Sequence, residues 1–347
     1  MVYNSHMDDR IIPRSLNFDD ITNHNARPET NVGSSGQHKG SETVPIINVS
    51  DPDVGRQMCE ACEKWGVFQV VGHGLPMSFL NEVDAETRRL FELPRERKLL
   101  AVTKPGEYAG YGLPTMSKFY PTEIWSEGFT IRGSPAQHVS KLWLDDVAQC
   151  NKFCNVMKEY QKKVDILAKK ITTLMLTSQG LTDDDLTWMK AVDNMSQSVP
   201  PTALRLNSYP ICPNPSQTMG MAPHTDTSFI TLLYQGNVGG LEVEAEGGDW
   251  VRVRPVEGAL VVNVGDLMHI FSNGRLKNVT HRVTVNGYRH RISLGYFFGP
   301  PRDVEVAPMG KLVQEGWKRP MYRPVTWDEY MKLKHTFGQK ALDMIRN

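Results

Sequence analysis

The sequence predicts a mixed α and β fold in which a double-stranded β-helix (jelly-roll) core is flanked by helices. Residues 203–300 alternate between short segments rich in Thr, Ile, Leu and Phe and turns rich in Gly and Asn. About eight short strands with such turns are typical of a jelly roll. The segments 76–93 and 147–179 instead place apolar residues at helical spacing. They therefore predict amphipathic helices beside the sheet.

The elements follow one another in five segments. Two short apolar segments, 44–49 and 67–71, predict strands near the N-terminus, and Pro94 marks the end of the first amphipathic helix. Gly180 ends the second, and a last helix is predicted over 326–346. The predicted segments are a flexible N-terminal arm (1–44), an N-terminal region of strands and helices (45–150), the long helix with its connector (151–200), the jelly-roll core (201–302) and a C-terminal helical segment (303–347).

The composition excludes several classes of function. With 347 residues, 40% hydrophobic and 22% charged, the chain resembles an ordinary soluble globular protein. Its 39 basic and 39 acidic residues balance, so the charge does not favour nucleic acid as a partner. No apolar run approaches the roughly 18 residues of a membrane span, the polar N-terminus lacks a signal peptide, and five scattered cysteines do not suggest a disulfide framework. We therefore expect a cytoplasmic monomer that binds neither nucleic acid nor membrane.

Two histidines and one aspartate lie in segments that predict strands. His224 and Asp226 fall in the segment 221–233, and alternation along a strand places them on one face. His281 follows in a second strand-like segment, 279–283. Two imidazoles and one carboxylate are the ligand set of a non-haem Fe(II) site with open positions for substrates. A lone His-x-Asp pattern is common by chance, but the distal histidine makes a metal site the better interpretation.

An Arg-x-Ser pattern strengthens the metal hypothesis. The Asn-Gly pair at 286–287 predicts a two-residue hairpin, which would fold the strand 289–298 back beside His281. Arg291 and Ser293 share one face of that strand. Arginine clamps a carboxylate through two parallel hydrogen bonds, and serine adds a hydroxyl donor beside it. A metal next to a carboxylate clamp indicates a chelating diacid as cosubstrate.

The order of these motifs resembles that of the 2-oxoglutarate and Fe(II)-dependent dioxygenases, over about residues 45–347. The sequence WGVFQVVGHG at 65–74 is similar to the N-terminal signature of the plant soluble subfamily, although Gly72 stands where asparagine is usual. The sequence NSYP at 207–210 is similar to another motif of that subfamily. The segment 125–135 and the C-terminal end closely resemble the gibberellin 3-oxidases.

The resemblance implies a reaction and a site. It implies oxidative decarboxylation of 2-oxoglutarate to succinate and carbon dioxide, with hydroxylation of an unactivated C–H bond by O2 and with ascorbate as an activator. Fe(II) would be held by His224, Asp226 and His281. The 2-oxoglutarate would be held by Asn207, Tyr209, Arg291 and Ser293. A non-enzymatic small-molecule receptor on the same fold is disfavoured, because all three metal ligands are present.

The substrate prediction combines the resemblance with the strand period. Gibberellin 3-oxidases imply a diterpenoid acid that is hydroxylated at its 3β carbon. Arg205 shares a strand face with two of the 2-oxoglutarate residues and is our candidate for binding the acid group, unless it pairs with a protein carboxylate. Four aromatic residues are predicted to line the apolar part of the pocket, with core packing as the alternative: Tyr111, Phe119, Trp125 and Phe129.

The position of oxidation stays open at this point. Arg205 stands where 3-oxidases have glutamine and is more like the gibberellin 20- and 2-oxidases. A dioxygenase of the same subfamily that acts on a flavonoid is the remaining enzymatic alternative.

Overall fold

The computed structural model describes residues 43–104, 106–112, 119, 122–186, 201–313 and 319–347. The predicted arm over 1–44 therefore lies almost entirely outside the described residues. The strands are β1 (Ile46–Asn48), β2 (Val67–Val71), β3 (Gly110–Gly112), β4 (Glu127–Ile131), β5 (Ala203–Tyr209), β6 (Met221–His224), β7 (Ile230–Tyr234), β8 (Leu241–Glu244), β9 (Trp250–Arg252), β10 (Leu260–Val264), β11 (His281–Val283), β12 (Arg291–Phe298), β13 (Glu305–Val306) and β14 (Val325–Thr326).

The strands form two sheets of unequal size and a short ribbon. The large sheet has eight strands in the order β1-β2-β10-β7-β12-β5-β4-β3, and the small sheet has four in the order β6-β11-β8-β9. The ribbon consists of β13 and β14. The eight strands from β5 to β12 are divided equally between the two sheets, so the chain crosses repeatedly from one to the other. The predicted fold class, a jelly-roll core with flanking helices, is confirmed.

Two long helices, Met77–Phe91 and Val147–Thr177, cover one face of the large sheet. The described helices are α1 (Val54–Lys64), α2 (Met77–Phe91), α3 (Arg95–Leu99), α4 (Ala136–Val139), α5 (Val147–Thr177), α6 (Asp266–Phe271) and α7 (Trp327–Phe337). The apolar stripe of α5 is buried, and Asp165 on this helix accepts a hydrogen bond of 2.8 Å from the hydroxyl of Tyr296 on β12. None of these helices is both long and apolar enough to cross a membrane.

The small sheet packs against the other face of the large sheet. Gly220 lies just before β6, and a Cβ atom added there would come 2.7 Å from the ring of Tyr209 on β5. Gly240 lies just before β8, and its added Cβ would come 3.4 Å from Cδ of Arg291 on β12. Because alternate residues of a strand face opposite ways, Arg205 and Asn207 face the small sheet together with Tyr209, whereas their neighbours face the helices. The space between the sheets is where the site residues meet.

The prediction of one strand over 221–233 was wrong. The structure has two strands in this segment, β6 and β7, and they belong to different sheets. β6 ends at His224, so Asp226 lies in the connecting loop and not on the same strand. Residues 225–229 carry the chain from the small sheet to the large one, a change of direction that a single strand could not make.

The predicted hairpin at 286–287 was also wrong. β11 pairs with β6 and β8 in the small sheet, while β12 pairs with β5 and β7 in the large sheet. The side chain of Asn286 instead accepts hydrogen bonds from the backbone N–H groups of Tyr288 (3.0 Å) and Arg289 (2.7 Å). Asparagine side chains commonly stabilise a turn in this way, and here the turn lies between the sheets. The Asn-Gly pair therefore marks a turn but not a pairing of its two neighbouring strands.

The C-terminal helix is shorter than predicted. α7 ends at Phe337, because Gly338 adopts a positive φ of 60°. Single turns of 3₁₀ helix, Gly338–Ala341 and Asp343–Ile345, follow it. The prediction of the long helix α5 was accurate to within two residues at its C-terminal end.

Candidate active site

Two histidines on the small sheet and one aspartate from the loop after β6 form a candidate metal centre. His224 and His281 are direct partners in the register of β6 and β11, and their ring centroids are 4.3 Å apart. Oδ1 of Asp226 lies 3.8 Å from Nε2 of each histidine. One ligand atom from each of the three residues can be chosen so that all lie within 4.8 Å of one another. This separation fits a single ion bound between them.

The backbone orients both imidazole rings toward the centre. Nδ1 of His224 lies 2.8 Å from the carbonyl oxygen of Ala222, and Nδ1 of His281 lies 3.2 Å from that of Val279. A histidine that donates from one nitrogen presents the lone pair of the other to a metal. Burial, reinforced by the neighbouring His281, lowers the pKa of His224 to about 4. The ring is therefore neutral near pH 7, the state in which histidine binds a metal.

A buried guanidinium lies on the face of the large sheet that packs against the small sheet. Arg291 is 1% exposed and pairs with Tyr209 in the sheet, while Ser293 pairs with Asn207. Nε of Arg291 donates to the carbonyl of Val238 (3.2 Å) and Nη1 donates to Oγ of Ser293 (3.3 Å). Its carbon Cζ lies 4.9 Å from the centre of the Tyr209 ring. Burial lowers the pKa of Arg291, and Nη2 has no partner within the described part of the chain. A buried cation with an unused donor fits a small carboxylate ligand.

Gln235 is a residue that the sequence analysis missed. It is 2% exposed, and neither its amide oxygen nor its amide nitrogen has a hydrogen-bond partner among the described residues. Tyr234 pairs with Leu294, so one further step along this antiparallel register brings Gln235 opposite Ser293. Alternation turns it to the same inner face as Arg291. In the sequence, Gln235 is only a polar residue that directly follows an apolar strand. Its neighbours on the adjacent strand become known only from the register of the sheet.

Arg205 extends along the same inner face toward the edge of the large sheet. Its three nitrogens donate to neutral groups: Nε to Oδ1 of Asn207 (3.2 Å), Nη1 to Oγ1 of Thr130 (2.9 Å) and Nη2 to the carbonyl of Gly112 (2.9 Å). The guanidinium lies directly over Gly128, where a side chain would collide with it. Burial lowers the pKa of Arg205 to about 10. Among the described residues, no carboxylate forms an ion pair with Arg205, so its charge is available to a ligand.

Two of the four aromatic residues that were predicted to line the pocket face the helices and not the small sheet. Tyr111 pairs with Phe129, and Phe129 pairs with Leu206, the neighbour of Arg205 that faces the helices. The hydroxyl of Tyr111 donates to the buried carboxylate of Glu127 at 2.5 Å. The prediction that Tyr111 and Phe129 line the substrate pocket is therefore wrong, because the strand pairing places them on the opposite face of the sheet. Core packing, the alternative interpretation, holds for both.

The other two aromatic predictions stand as predictions. Trp125 is buried, and its ring nitrogen has no partner among the described residues. Phe119 is 39% exposed and lies against Gly338, with its ring atoms 3.6 Å from where a Cβ would stand. Gln339, which follows Gly338, donates a hydrogen bond of 3.0 Å to the carbonyl of Pro223. Pro223 immediately precedes His224, the first histidine of the cluster. Phe119 therefore lies on the side of the molecule where the metal-binding loop meets the C-terminal segment.

Comparison with known families agrees with this geometry. Residues 200–300 match the family model described as the 2OG-Fe(II) oxygenase superfamily, and residues 44–149 match the N-terminal region of non-haem dioxygenases in morphine synthesis. The crystal structure of JOX2 in complex with 2OG, Fe, and JA is similar to this fold with a TM-score of 0.74 and 27% sequence identity, covering 92% of this chain and 96% of that one. The chain therefore belongs to the 2OG-Fe(II) oxygenase superfamily and is an Fe(II)- and 2-oxoglutarate-dependent dioxygenase.

The curated proteins that are similar to this chain include two gibberellin 3-beta-dioxygenases. Gibberellin 3-beta-dioxygenase 3 from Arabidopsis thaliana is 44% identical, over 97% of this chain and 95% of the relative. Gibberellin 3-beta-dioxygenase 1 from Pisum sativum is 41% identical, over 96% of this chain and 87% of the relative.

Proposed function

We propose that this dioxygenase hydroxylates a gibberellin at an unactivated C–H bond, at the 3β position, and converts 2-oxoglutarate to succinate and carbon dioxide. The observation that carries the proposal is a cluster of three candidate metal ligands beside the small sheet, together with a buried guanidinium with an unused donor on the face of the large sheet that packs against it. The substrate is inferred from relatives named as gibberellin 3-beta-dioxygenases, which are 40% to 44% identical over at least 88% of this chain.

The donor set suits Fe(II). His224, Asp226 and His281 would hold the ion through two neutral nitrogens and one carboxylate oxygen, which leaves further coordination positions open. When bound, iron with 2-oxoglutarate and dioxygen supplies the oxidising power for inserting one oxygen atom into a C–H bond. The protein holds the rings in the binding tautomer and keeps the centre between two sheets, away from bulk water.

The large sheet would bind the cosubstrate. Arg291 and Ser293 would hold the carboxylate far from the metal, and Tyr209 packs against the guanidinium that makes this contact. Asn207 lies beside Ser293 in the register. We assign Gln235 to the same carboxylate, because its amide is buried without a partner on the face that Arg291 occupies.

Gln235→Leu should weaken 2-oxoglutarate binding by about tenfold or more, because a hydrogen bond to a charged group contributes roughly 1.5–3 kcal/mol. The measurement is calorimetric titration of the full chain with 2-oxoglutarate under nitrogen, in the presence of saturating Fe(II). Gln161→Leu is the matched control, since Gln161 lies on α5 and donates to the carbonyl of Gly133. Unchanged affinity in the Gln235 variant would remove this residue from the pocket.

We further propose that Arg205 binds the acid group of the substrate. Its hydrogen bonds to neutral groups fix the direction of the guanidinium, and its charge has no carboxylate partner among the described residues. A charged hydrogen bond of this kind contributes roughly 1.5–3 kcal/mol. The position of Arg205, on the same face as Asn207 but nearer the sheet edge formed by β3 and β4, separates it from the cosubstrate clamp.

Arg205→Met should weaken binding of a gibberellin acid by about ten- to a hundredfold. The same substitution should have little effect on binding of the methyl ester, which has no charge to lose. Both ligands are titrated into the anaerobic complex with iron and 2-oxoglutarate. Equal losses for acid and ester, or no loss for either, would show that Arg205 does not recognise the acid group.

The function itself is tested with a substrate panel. Purified protein is incubated with Fe(II), 2-oxoglutarate, ascorbate and air, together with each of several gibberellin precursors and one flavonoid. We expect succinate and a product with one added oxygen at the 3β carbon, identified by mass spectrometry and NMR. Oxidation at carbon 2 or 20 would instead define a gibberellin 2- or 20-oxidase, and turnover of the flavonoid alone would define the third alternative. Binding without succinate release would indicate a receptor.

A further inference from the structure

The segment 223–227, which comprises the end of β6 and the first residues of the loop after it, carries two of the proposed metal ligands and has a second set of contacts. We refer to this segment as the loop. His224 and Asp226 direct their side chains toward the cluster. The residues that alternate with them contact the C-terminal segment, 327–339. These alternate residues are Pro223, Thr225 and Thr227. The loop is therefore held from behind, on the side away from the metal.

The two ends of the loop are bound by three residues of the C-terminal segment. The ring nitrogen of Trp327 donates 3.1 Å to Oγ1 of Thr227, which in turn lies 3.2 Å from Sδ of Met331. At the other end, the side-chain amide of Gln339 donates 3.0 Å to the carbonyl oxygen of Pro223. Trp327 and Met331 are four residues apart on α7, so they lie on one face of this helix.

Lys334 binds the middle of the loop from the same helix. It is 4% exposed, and its ammonium group donates to Oγ1 of Thr225 at 2.5 Å and to Oδ2 of Asp266 at 2.7 Å. Asp266 is fully buried, and its backbone N–H donates 2.7 Å to the carbonyl oxygen of Asp226. The ion pair therefore contacts the loop directly at Thr225 and through the backbone at Asp226.

The same aspartate connects the network to the third metal-binding residue. Oδ2 of Asp266 also accepts a hydrogen bond of 2.8 Å from Tyr330, and Oδ1 accepts one of 2.6 Å from the amide of Asn278. Asn278 precedes Val279, whose carbonyl oxygen orients the ring of His281. A single buried residue, Asp266, is thus hydrogen-bonded to both chain segments that carry the cluster, through its backbone N–H to Asp226 and through its carboxylate to Asn278.

We propose that the C-terminal segment around α7 acts as a brace, meaning that its contacts hold the segment 223–227 in place behind the metal centre. Within it, Lys334 is a positioning residue that sets the affinity for iron. The inference rests on the proposed metal ligands. A buried ion pair contributes little net stability compared with apolar residues of similar size, so stability alone does not account for its place here. Groups that orient metal ligands from behind typically contribute 10–100-fold to metal affinity. The alternation along the loop, with ligands on one side and braced residues on the other, assigns Lys334 this role.

The test measures iron binding without turnover. Fe(II) is titrated into the full chain under nitrogen, without 2-oxoglutarate or substrate, by calorimetry. Lys334→Met should weaken iron binding by about 10–100-fold, and Lys334→Arg, which retains the cation, should recover part of the loss. Lys98→Met is the matched control, because Lys98 is 2% exposed and pairs with Glu127 at 2.7 Å on the helix-facing side of the sheet. It should lower the melting temperature and leave iron affinity unchanged.

A milder variant covers the case in which Lys334→Met does not fold. Thr225→Val keeps the side-chain shape and removes only the hydroxyl that accepts from Lys334, so it too should weaken iron binding measurably. Unchanged iron affinity in folded Thr225→Val, or in folded Lys334→Met, would overturn the proposed brace. His281→Ala distinguishes an error in the proposed ligand set from an error in the proposed brace. Normal iron affinity in this variant would overturn the ligand set itself, whereas loss only in this variant would leave the site intact and reject the brace.

Discussion

Replacement of His224, Asp226 or His281 by alanine should abolish turnover while the protein stays folded. Each residue supplies one of three ligand atoms that lie within 4.8 Å of one another, and two remaining ligands would hold the metal weakly or in the wrong geometry. Residues behind a metal ligand already contribute 10–100-fold, so we expect losses of more than about a hundredfold here. Succinate formation with added Fe(II) is the measurement, and circular dichroism checks the fold.

A buried histidine outside the cluster provides the control. His290 lies next to Arg291 in sequence, but its Nε2 is 2.9 Å from the hydroxyl of Ser208, a residue that faces the helices. Burial lowers its pKa to about 4, close to the value for His224. His290→Gln should therefore retain most of the activity. Full activity with excess iron in any of the three alanine variants would exclude that residue as a ligand.

Sequence patterns were more informative about the candidate site than about the local chain path. Residue type alone selected His224, Asp226, His281 and Arg291 as candidates, because two imidazoles, a carboxylate and a separate guanidinium are a rare combination. The structure brings the first three together. The supposed strand over 221–233 failed, however. Strand propensity indicates that a segment fits a sheet, but it does not indicate which sheet. Here the two halves of the segment belong to different sheets.

Pairing partners account for most of the remaining errors and omissions. The face of Tyr111 is decided by its register with Phe129 on β4, and the sequence does not contain that register. Gln235 can be assigned to the candidate site only because it lies opposite Ser293, on a strand that begins more than fifty residues later. Lys334 lies more than one hundred residues from Thr225, and only the folded chain brings them together. Local pattern therefore selects candidate ligands, whereas the polar groups around those candidates can be found only from the tertiary structure.

The second large effect is expected at Arg291, in cosubstrate binding. Its guanidinium already uses Nε for Val238 and Nη1 for Ser293, which leaves Nη2 for a ligand. Lysine has one nitrogen and cannot occupy all three directions at once. We expect Arg291→Lys to weaken 2-oxoglutarate binding by about ten- to a hundredfold. Arg291→Met leaves the ligand carboxylate without its cation, which costs about 3–5 kcal/mol, or roughly a hundredfold to a few thousandfold in affinity.

The controls separate recognition of the carboxylate from a general loss of structure. Arg282 lies on the outer face of the small sheet, over the ring of Trp250 and paired with Glu242 at 2.8 Å, so Arg282→Lys should bind 2-oxoglutarate normally. The sharper comparison changes the ligand. A 2-oxo acid of the same length without the far carboxylate should bind the natural protein weakly, and Arg291→Met should hardly weaken it further, because the two changes remove the same interaction. Equal losses for both ligands in anaerobic titration would mean that Arg291 supports the sheet and does not bind the cosubstrate.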